Sequence, residues 1–289
     1  MKTLALKAYA KVNLILDVLR RREDGYHDVR MIMQNLNIYD ELEFAVEEEM
    51  SGRHISISAN KDNIPTDERN LIYKAIALMF DEYNINAYIH VKLTKNIPVE
   101  AGMAGGSTDC AATLHAVNKL FNLGADEKRL MELGVKLGAD VPYCVMARTA
   151  LSEGIGEVLT PVTPLDDCVV LVVKPDISVS TKMVYTNLKA NELERHPDVG
   201  GMLEALDGHD IYGVAKRMEN VLETVTVNLY PELETIKTAM KTKGALNAIM
   251  SGSGSAIFGI FTDSKRAEEA ADYIKKQKLA DEIFVTRPV

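Results

Sequence analysis

Twelve consecutive residues set the strongest limit on what this chain can become: Pro98, Val99, Glu100, Ala101, Gly102, Met103, Ala104, Gly105, Gly106, Ser107, Thr108 and Asp109. The three glycines permit positive φ and bring backbone close to whatever lies opposite, because no Cβ intervenes. Cys110, Leu114, Val117, Leu120 and Phe121 then recur at helical spacing. The pattern predicts a glycine-rich loop that opens a helix. Its unpaired N–H groups and positive dipole end suit an anion such as a phosphate chain. A sharp turn that uses glycine only for closeness would read the same way. Neither G-x-x-x-x-G-K-[ST] nor G-x-G-x-x-G is present, which excludes an ordinary P-loop or dinucleotide fingerprint.

Upstream of the loop the period is two. Ala8, Ala10, Val12, Leu14, Leu16 and Val18 alternate with Lys7, Tyr9, Lys11, Asn13 and Asp17, which predicts a strand with Lys11 and Asn13 on one face. Further strands are predicted at 31–38, 41–46, 54–58 and 87–93, with a helix over 68–83. Downstream, a helix over 126–137 has Asp126 as N-cap and Gly138 as stop. Asp140 follows, and Pro142 biases Val141 towards an extended conformation, so Asp140 is expected in a loop.

With 289 residues, a prior of about 150 per domain gives two domains. We place them at 1–160 and 161–289, divided in the proline-bearing stretch 161–164. Beyond it come strands at 169–173, 246–250, 255–261 and 282–286, and helices near 182–188, 210–225, 231–243 and 265–276. Apart from added helices this is β-α-β-β-α-β, a ferredoxin-like order, and the whole is α+β.

The 33 Lys and Arg against 42 Asp and Glu leave a formal charge of −9, which disfavours a nucleic-acid partner. Cys110, Cys144 and Cys168 are widely spaced without Cys-x-x-Cys, so neither a disulfide framework nor a metal knuckle is expected, and a reducing compartment fits. Lys7, Lys11, Asn13 and Asp17 interrupt the apolar N-terminal stretch, so no signal peptide is read. No apolar run approaches the ~20 residues of a membrane span. The expectation is a soluble, cytoplasmic protein without a membrane partner.

Lys11 and Asp140 are the titratable pair with a chemical reading. If they meet, the ammonium holds the carboxylate ionised and the carboxylate can accept a hydroxyl proton; taken alone, each also fits a solvated surface charge. The motifs Lys11-Val-Asn13-Leu, Asp24-Gly25-Tyr26-His27, the loop at 98–109, Leu137-Gly-Ala-Asp140-Val-Pro142 and Ser251-Gly-Ser-Gly254 resemble, in order, those of the GHMP kinase superfamily. Asp-Gly-Tyr-His and Gly-Ala-Asp-Val-Pro narrow the resemblance to members that phosphorylate a cytidine-diphosphate-linked methylerythritol.

That resemblance implies a two-domain GHMP kinase fold: a ribosomal protein S5 domain 2-like N-terminal domain and a ferredoxin-like GHMP C-terminal domain, with the active site between them. It implies ATP-dependent phosphorylation of the acceptor's 2-hydroxyl in non-mevalonate isoprenoid precursor synthesis, with Mg²⁺ arriving on the nucleotide. Lys11 and Asp140 match the catalytic pair, residues 98–108 the ATP phosphate loop, and Asn70 and Lys95 further nucleotide contacts. Asn13, Tyr26, His27 and Tyr185 match the cytidine-substrate site, and the turn at 251–254 lies near the substrate's phosphates in the family. Without the family, Tyr26-His27 reads as the close of a β-turn and 251–254 as a hairpin turn. Glu100, Ala101 and Ala104 depart from the glycines of some members, and a glutamate there must face solvent or a metal to escape repulsion by a triphosphate. Rival readings are a GHMP kinase for homoserine, mevalonate or a sugar, and a non-catalytic ligand sensor. Oligomeric state is open between monomer and homodimer.

Overall fold

In a computed structural model, residues 2–47, 52–193 and 195–289 are described. They form two compact units: unit 1 comprises Met1–Ala10, Ile38–Ile97 and Ala104–Ala147, and unit 2 comprises Lys11–Asn37, Pro98–Met103 and Arg148–Val289. This division differs from a single cut at 160/161. Two long strands, β1 (Lys2–Arg21) and β2 (His27–Glu47), each give one half to either unit, and so does the glycine-rich loop.

The polar face of β1 is not solvated as alternation alone would have it. Lys11, Asn13 and Asp17 are buried at 4%, 0% and 2% exposure, and each has a polar contact: Lys11 Nζ donates to Asn13 Oδ1, Asn13 Nδ2 to Met31 Sδ, and Asp17 meets His196 Nδ1. Strand β2 runs without a break through positions read as a gap between two strands. Asp40 lies within the strand, and its carboxylate binds the Lys95 ammonium.

Unit 1 adds β3 (His54–Ala59), α1 (Leu71–Glu82), β4 (Tyr88–Thr94), α2 (Gly105–Leu120), α3 (Glu127–Gly134) and α4 (Val141–Met146). Its strand order is β3-β4-β2-β1, with β3 parallel to β4 and β4 antiparallel to β2. Ile72, Ala75, Ile76, Met79 and Phe80 are the buried stripe of α1, and Cys110, Leu114 and Val117 that of α2. Helix α4 was unforeseen. Pro142 stands at its second position, where no intrahelical N–H bond is lost, so a residue read as enforcing extension instead begins a helix. Asp140 is its N-cap residue, in the αR conformation.

Unit 2 adds β5 (Ala150–Glu153), β6 (Val158–Pro161), β7 (Val169–Lys174), α5 (Thr181–Asn187), α6 (Val199–Asp207), α7 (Ile211–Arg217), β8 (Glu219–Asn220), α8 (Glu223–Leu229), α9 (Glu232–Thr242), β9 (Asn247–Met250), β10 (Ile257–Phe261), α10 (Ser264–Lys276) and β11 (Glu282–Thr286). Strands β11-β7-β10-β9 form an antiparallel sheet in the ferredoxin-like order expected for the C-terminal half. The helix expected over 210–225 is two helices interrupted by β8, which pairs in parallel with β1 through Ile15↔Glu219 and Leu16↔Asn220. No helix among the described residues is long and apolar enough to cross a membrane.

The sequence-read cap of α3 is present: the Asp126 carboxylate accepts from Arg129 N at 2.8 Å. Asp126→Ala is expected to cost about 1 kcal/mol of stability, the usual worth of an N-cap. An unchanged urea midpoint would remove the cap from the account of this helix.

Candidate active site

The first half of the glycine-rich loop belongs to unit 2, and backbone packing fixes its path. Gly102 has φ +71°, and a Cβ there would lie 2.0 Å from the carbonyl oxygen of Ser251. Ser251 Oγ donates to Gly102 O at 3.0 Å, Ala256 N to Ala101 O at 3.2 Å, and Lys11 N to Met103 O at 3.2 Å. Glycine at 102 is therefore demanded by the turn at 251–254, whatever ligand the loop also holds. Pro98, Ala101 and Met103 are buried, Val99 and Gly102 partly so, and Glu100 is exposed at φ +53°.

Also in unit 2, Lys11 and Asn13 share one face of β1 as the alternation predicts, 2.9 Å apart at Nζ and Oδ1. His27 begins β2 and is 8% exposed; its ring lies 5.2 Å from that of Tyr185 at 44°. The buried His27 Nε2 has no hydrogen-bond partner in the protein, an orphan that a ligand's polar edge would satisfy. Burial, and then the nearby Arg21 charge, lower the His27 pKa, so the ring is neutral near pH 7. Tyr26 is 58% exposed and sits in the turn the sequence predicts, its N–H bonded to Asp24 Oδ1.

The second half of the loop opens α2 in unit 1. Ala104 holds the N-cap position in the left-handed region at φ +57°, and no side chain caps the helix. By contrast, Asn70 caps α1 and Asp126 caps α3. The glycine-rich loop thus opens a helix, as the sequence predicts, and an uncapped start at Gly105, Gly106 and Ser107 has the N–H groups and dipole end that suit an anion. Ser107 Oγ lies 4.0 Å from the Cβ position of Gly138, two residues before Asp140, so unit 1 brings the start of α2 and the Asp140 segment together. The Asp140 carboxylate takes no part in capping α4.

Three residues named as nucleotide contacts have structural partners. Thr108 Oγ1 donates to Tyr9 O at 2.8 Å. Asn70 accepts from Ile72 N and donates to Pro65 O. Lys95, 5% exposed, lies between Asp40 and Asp109, with Asp109 Oδ2 at 2.7 Å. Its Nζ is 3.0 Å from the Cβ position of Gly105, so the ammonium underlies the first residue of α2. One cation between two buried carboxylates leaves a negative charge in excess: burial, with Asp40 adding to it against the pull of Lys95, pushes Asp109 up to about 8. Burial opposes the charge on Lys95, but the two carboxylates outweigh it and raise its pKa. Sequence reasoning missed Asp40, whose alternation with buried neighbours in β2 was the available signal.

Residues 70–148 match the model for the GHMP kinases N terminal domain, and residues 202–280 that for the GHMP kinases C terminal domain. A 4-diphosphocytidyl-2-C-methyl-D-erythritol kinase of Clostridium perfringens is 47% identical over 284 residues, covering 98% of each chain. The chain belongs to the GHMP kinase family. A Lachnoclostridium phytofermentans kinase of the same description is 48% identical to this GHMP kinase over 99% of the chain and 98% of its own length. A crystal structure of a 4-(cytidine 5'-diphospho)-2C-methyl-D-erythritol kinase superposes with TM-score 0.82 at 32% identity, covering 99% of both chains. A homoserine kinase from Cytophaga hutchinsonii has TM-score 0.76 at 21% identity over 98% of this chain and 95% of its own, a likeness of fold.

Two outcomes are expected. Gly102→Ala places a methyl on backbone that cannot retreat, so ADP affinity measured by calorimetry is expected to fall by at least roughly tenfold; wild-type affinity would show that the loop tolerates displacement here. For Asp109 the folded state holds the extra proton between the ordinary 3.8 and about 8, so this group's stabilising effect declines as pH rises across that window. Asp109→Asn is expected to flatten the fall in urea midpoint between about pH 5 and about pH 8. An equally steep fall in the variant would assign it to other groups.

Proposed function

We propose that this GHMP kinase transfers the γ-phosphoryl group of ATP to the 2-hydroxyl of 4-diphosphocytidyl-2-C-methyl-D-erythritol. The observation that carries the reading is the uncapped start of α2, with Ser107 beside the segment that bears Asp140. The relatives' shared activity, at 47% and 48% identity over nearly the whole chain, supplies the acceptor.

Phosphoryl transfer asks a protein for positioning and charge stabilisation more than for covalent chemistry. In this reading the N–H groups at 105–108 receive the phosphates, and the packed backbone at Gly102 sets the course of the loop that leads to them. Lys11 offsets the charge that develops between donor and acceptor, its ammonium oriented by Asn13. Asp140 accepts the proton of the attacking hydroxyl. His27 hydrogen-bonds the cytosine edge through its orphaned nitrogen, and Tyr185 and Tyr26 offer aromatic faces to the base. The cytoplasm, where ATP is abundant, is the compartment this reading implies.

Membership of a kinase family carries ATP as phosphoryl donor. We add Mg²⁺ bound with it. Among the described residues no group of three or more His, Cys, Asp or Glu side chains stands ready for a metal, and Mg²⁺ on a nucleotide needs only one or two protein oxygens beside phosphate and water. The Ser107 hydroxyl and the Asp140 carboxylate, in neighbouring segments of unit 1, are of the right chemistry. When bound, the ion would neutralise phosphate charge.

A coupled ADP-release assay over an acceptor panel tests the assignment: turnover is expected with the cytidine-diphosphate compound and not with homoserine, mevalonate or a sugar. Faster turnover of any of the latter would overturn it. Asp140→Asn is expected to lower kcat by about 10²–10⁴ while nucleotide affinity changes little; a variant within about threefold of wild type would refute the general-base role.

A further inference from the structure

The turn at 251–254 presses on Gly102 from one side and is gripped from the other by a side chain the chemistry above does not use. Asn220 is 3% exposed and lies in β8, at the interruption between α7 and α8. Its Nδ2 donates to two carbonyls at once, Met250 O and Gly252 O, each at 2.8 Å, and its Oδ1 accepts from Leu222 N at 3.0 Å. The carboxamide is thus committed on both ends. Glu223 Oε1 accepts from Met250 N at 2.6 Å, and Thr226 Oγ1 donates to Ser253 O at 3.2 Å, so one short stretch of chain holds the turn from Met250 to Ser253.

The opposite side of the turn leaves no slack. A Cβ at Gly252 would lie 3.0 Å from Gly102 O, one at Gly102 would lie 2.0 Å from Ser251 O, and Ser251 Oγ donates to that same Gly102 carbonyl. Close-packed backbone transmits displacement because it cannot be compressed. Asparagine is the side chain this site requires. Aspartate has the shape but no donors, and would set a carboxylate against two carbonyl oxygens. Alanine would leave both carbonyls without their partner.

We propose that Asn220 is a positioning residue for the nucleotide: its carboxamide fixes the turn at 251–254, and the turn fixes Gly102 and the course of the loop through Ala101 and Met103. This rests on the reading above that the loop receives ATP phosphates. Asn220 is buried behind the turn, and the turn packs on Gly102 of the loop, so the larger effect is expected on the donor side of the reaction.

The test uses the full chain with Asn220→Asp, Ser251→Ala and the double variant, with KM measured separately for ATP and the cytidine-diphosphate acceptor, ADP affinity by calorimetry, and thermal unfolding. Asn220→Asp is expected to raise KM for ATP by roughly tenfold or more, the scale of one or two lost buried hydrogen bonds, with KM for the acceptor within about twofold. Ser251→Ala is expected to raise KM for ATP by about threefold, and the double variant to be no worse than Asn220→Asp, because both act through Gly102. His27→Ala combined with Asn220→Asp should instead multiply the separate effects. A folded Asn220→Asp with unaltered ATP KM, equal losses for both substrates, or multiplying effects of the 220 and 251 changes would each overturn the proposal. Should Asn220→Asp not fold, Ser251→Ala decides, with unchanged ATP KM counting against it. Wild-type protein that binds no ADP would overturn the parent reading as well, whereas binding with an indifferent Ser251→Ala overturns this inference alone.

Discussion

The approach of the Gly102 backbone to the carbonyl of Ser251 is the contact on which the glycine-rich loop depends. It joins residues 149 apart in sequence, leaves no room for a Cβ, and is fixed by a hydrogen bond from Ser251 Oγ to Gly102 O. A loop with three glycines would be conformationally loose on its own, because glycine gives up the most freedom on ordering. Here neighbouring backbone removes that freedom. Lys11 is tied to the same stretch through its N–H to Met103 O, so the lysine proposed to act in transfer and the loop hold their relation through main chain, independent of rotamer.

Buried charge is the second organising theme. Lys95, Asp40 and Asp109 lie under the start of α2, and the Lys11–Asn13 pair lies inside unit 2. Such groups are costly to bury unless their polar atoms are satisfied. Asp40 is satisfied fully: one oxygen takes the ammonium and the other accepts from Asn96 N and Ile97 N. Asp109 is satisfied in part, with Oδ1 unpartnered, and it is the carboxyl whose proton is held into the neutral range. The helix that opens towards the proposed phosphates therefore stands on a cluster in which Asp109 keeps its proton into the neutral range, which leaves Lys95 balanced by Asp40.

Much of this is legible in the sequence itself. The loop followed by a helical stripe, the shared face of Lys11 and Asn13, the Asp126 cap, the turn at Tyr26 and the ferredoxin-like strand order all arise from local periodicity and turn chemistry, and all are present. The errors have local causes too. Pro142 was read by its effect on the preceding residue when its tolerance of a helix's first turn prevailed. Residues 210–225 keep helical spacing of apolar side chains across a real break, because β8 is held extended by partners in β1 and by the carbonyls that Asn220 serves. Lys11 taken alone also fitted a solvated surface charge, because alternation reports two faces and not what covers them, and it is buried.

Sequence alone determined the kinds of element, the order of the motifs and the family they resemble, since φ preferences, hydrophobic period and residue chemistry act over a few residues. Tertiary structure decided why particular positions are irreplaceable. Gly102 is glycine because of Ser251, Lys95 is buried because Asp40, 55 residues away, joins Asp109 in holding it, and the His27 ring packs against that of Tyr185 with its Nε2 buried and unpartnered. Those contacts bring together residues far apart in the chain, and no local preference encodes which distant atom will arrive.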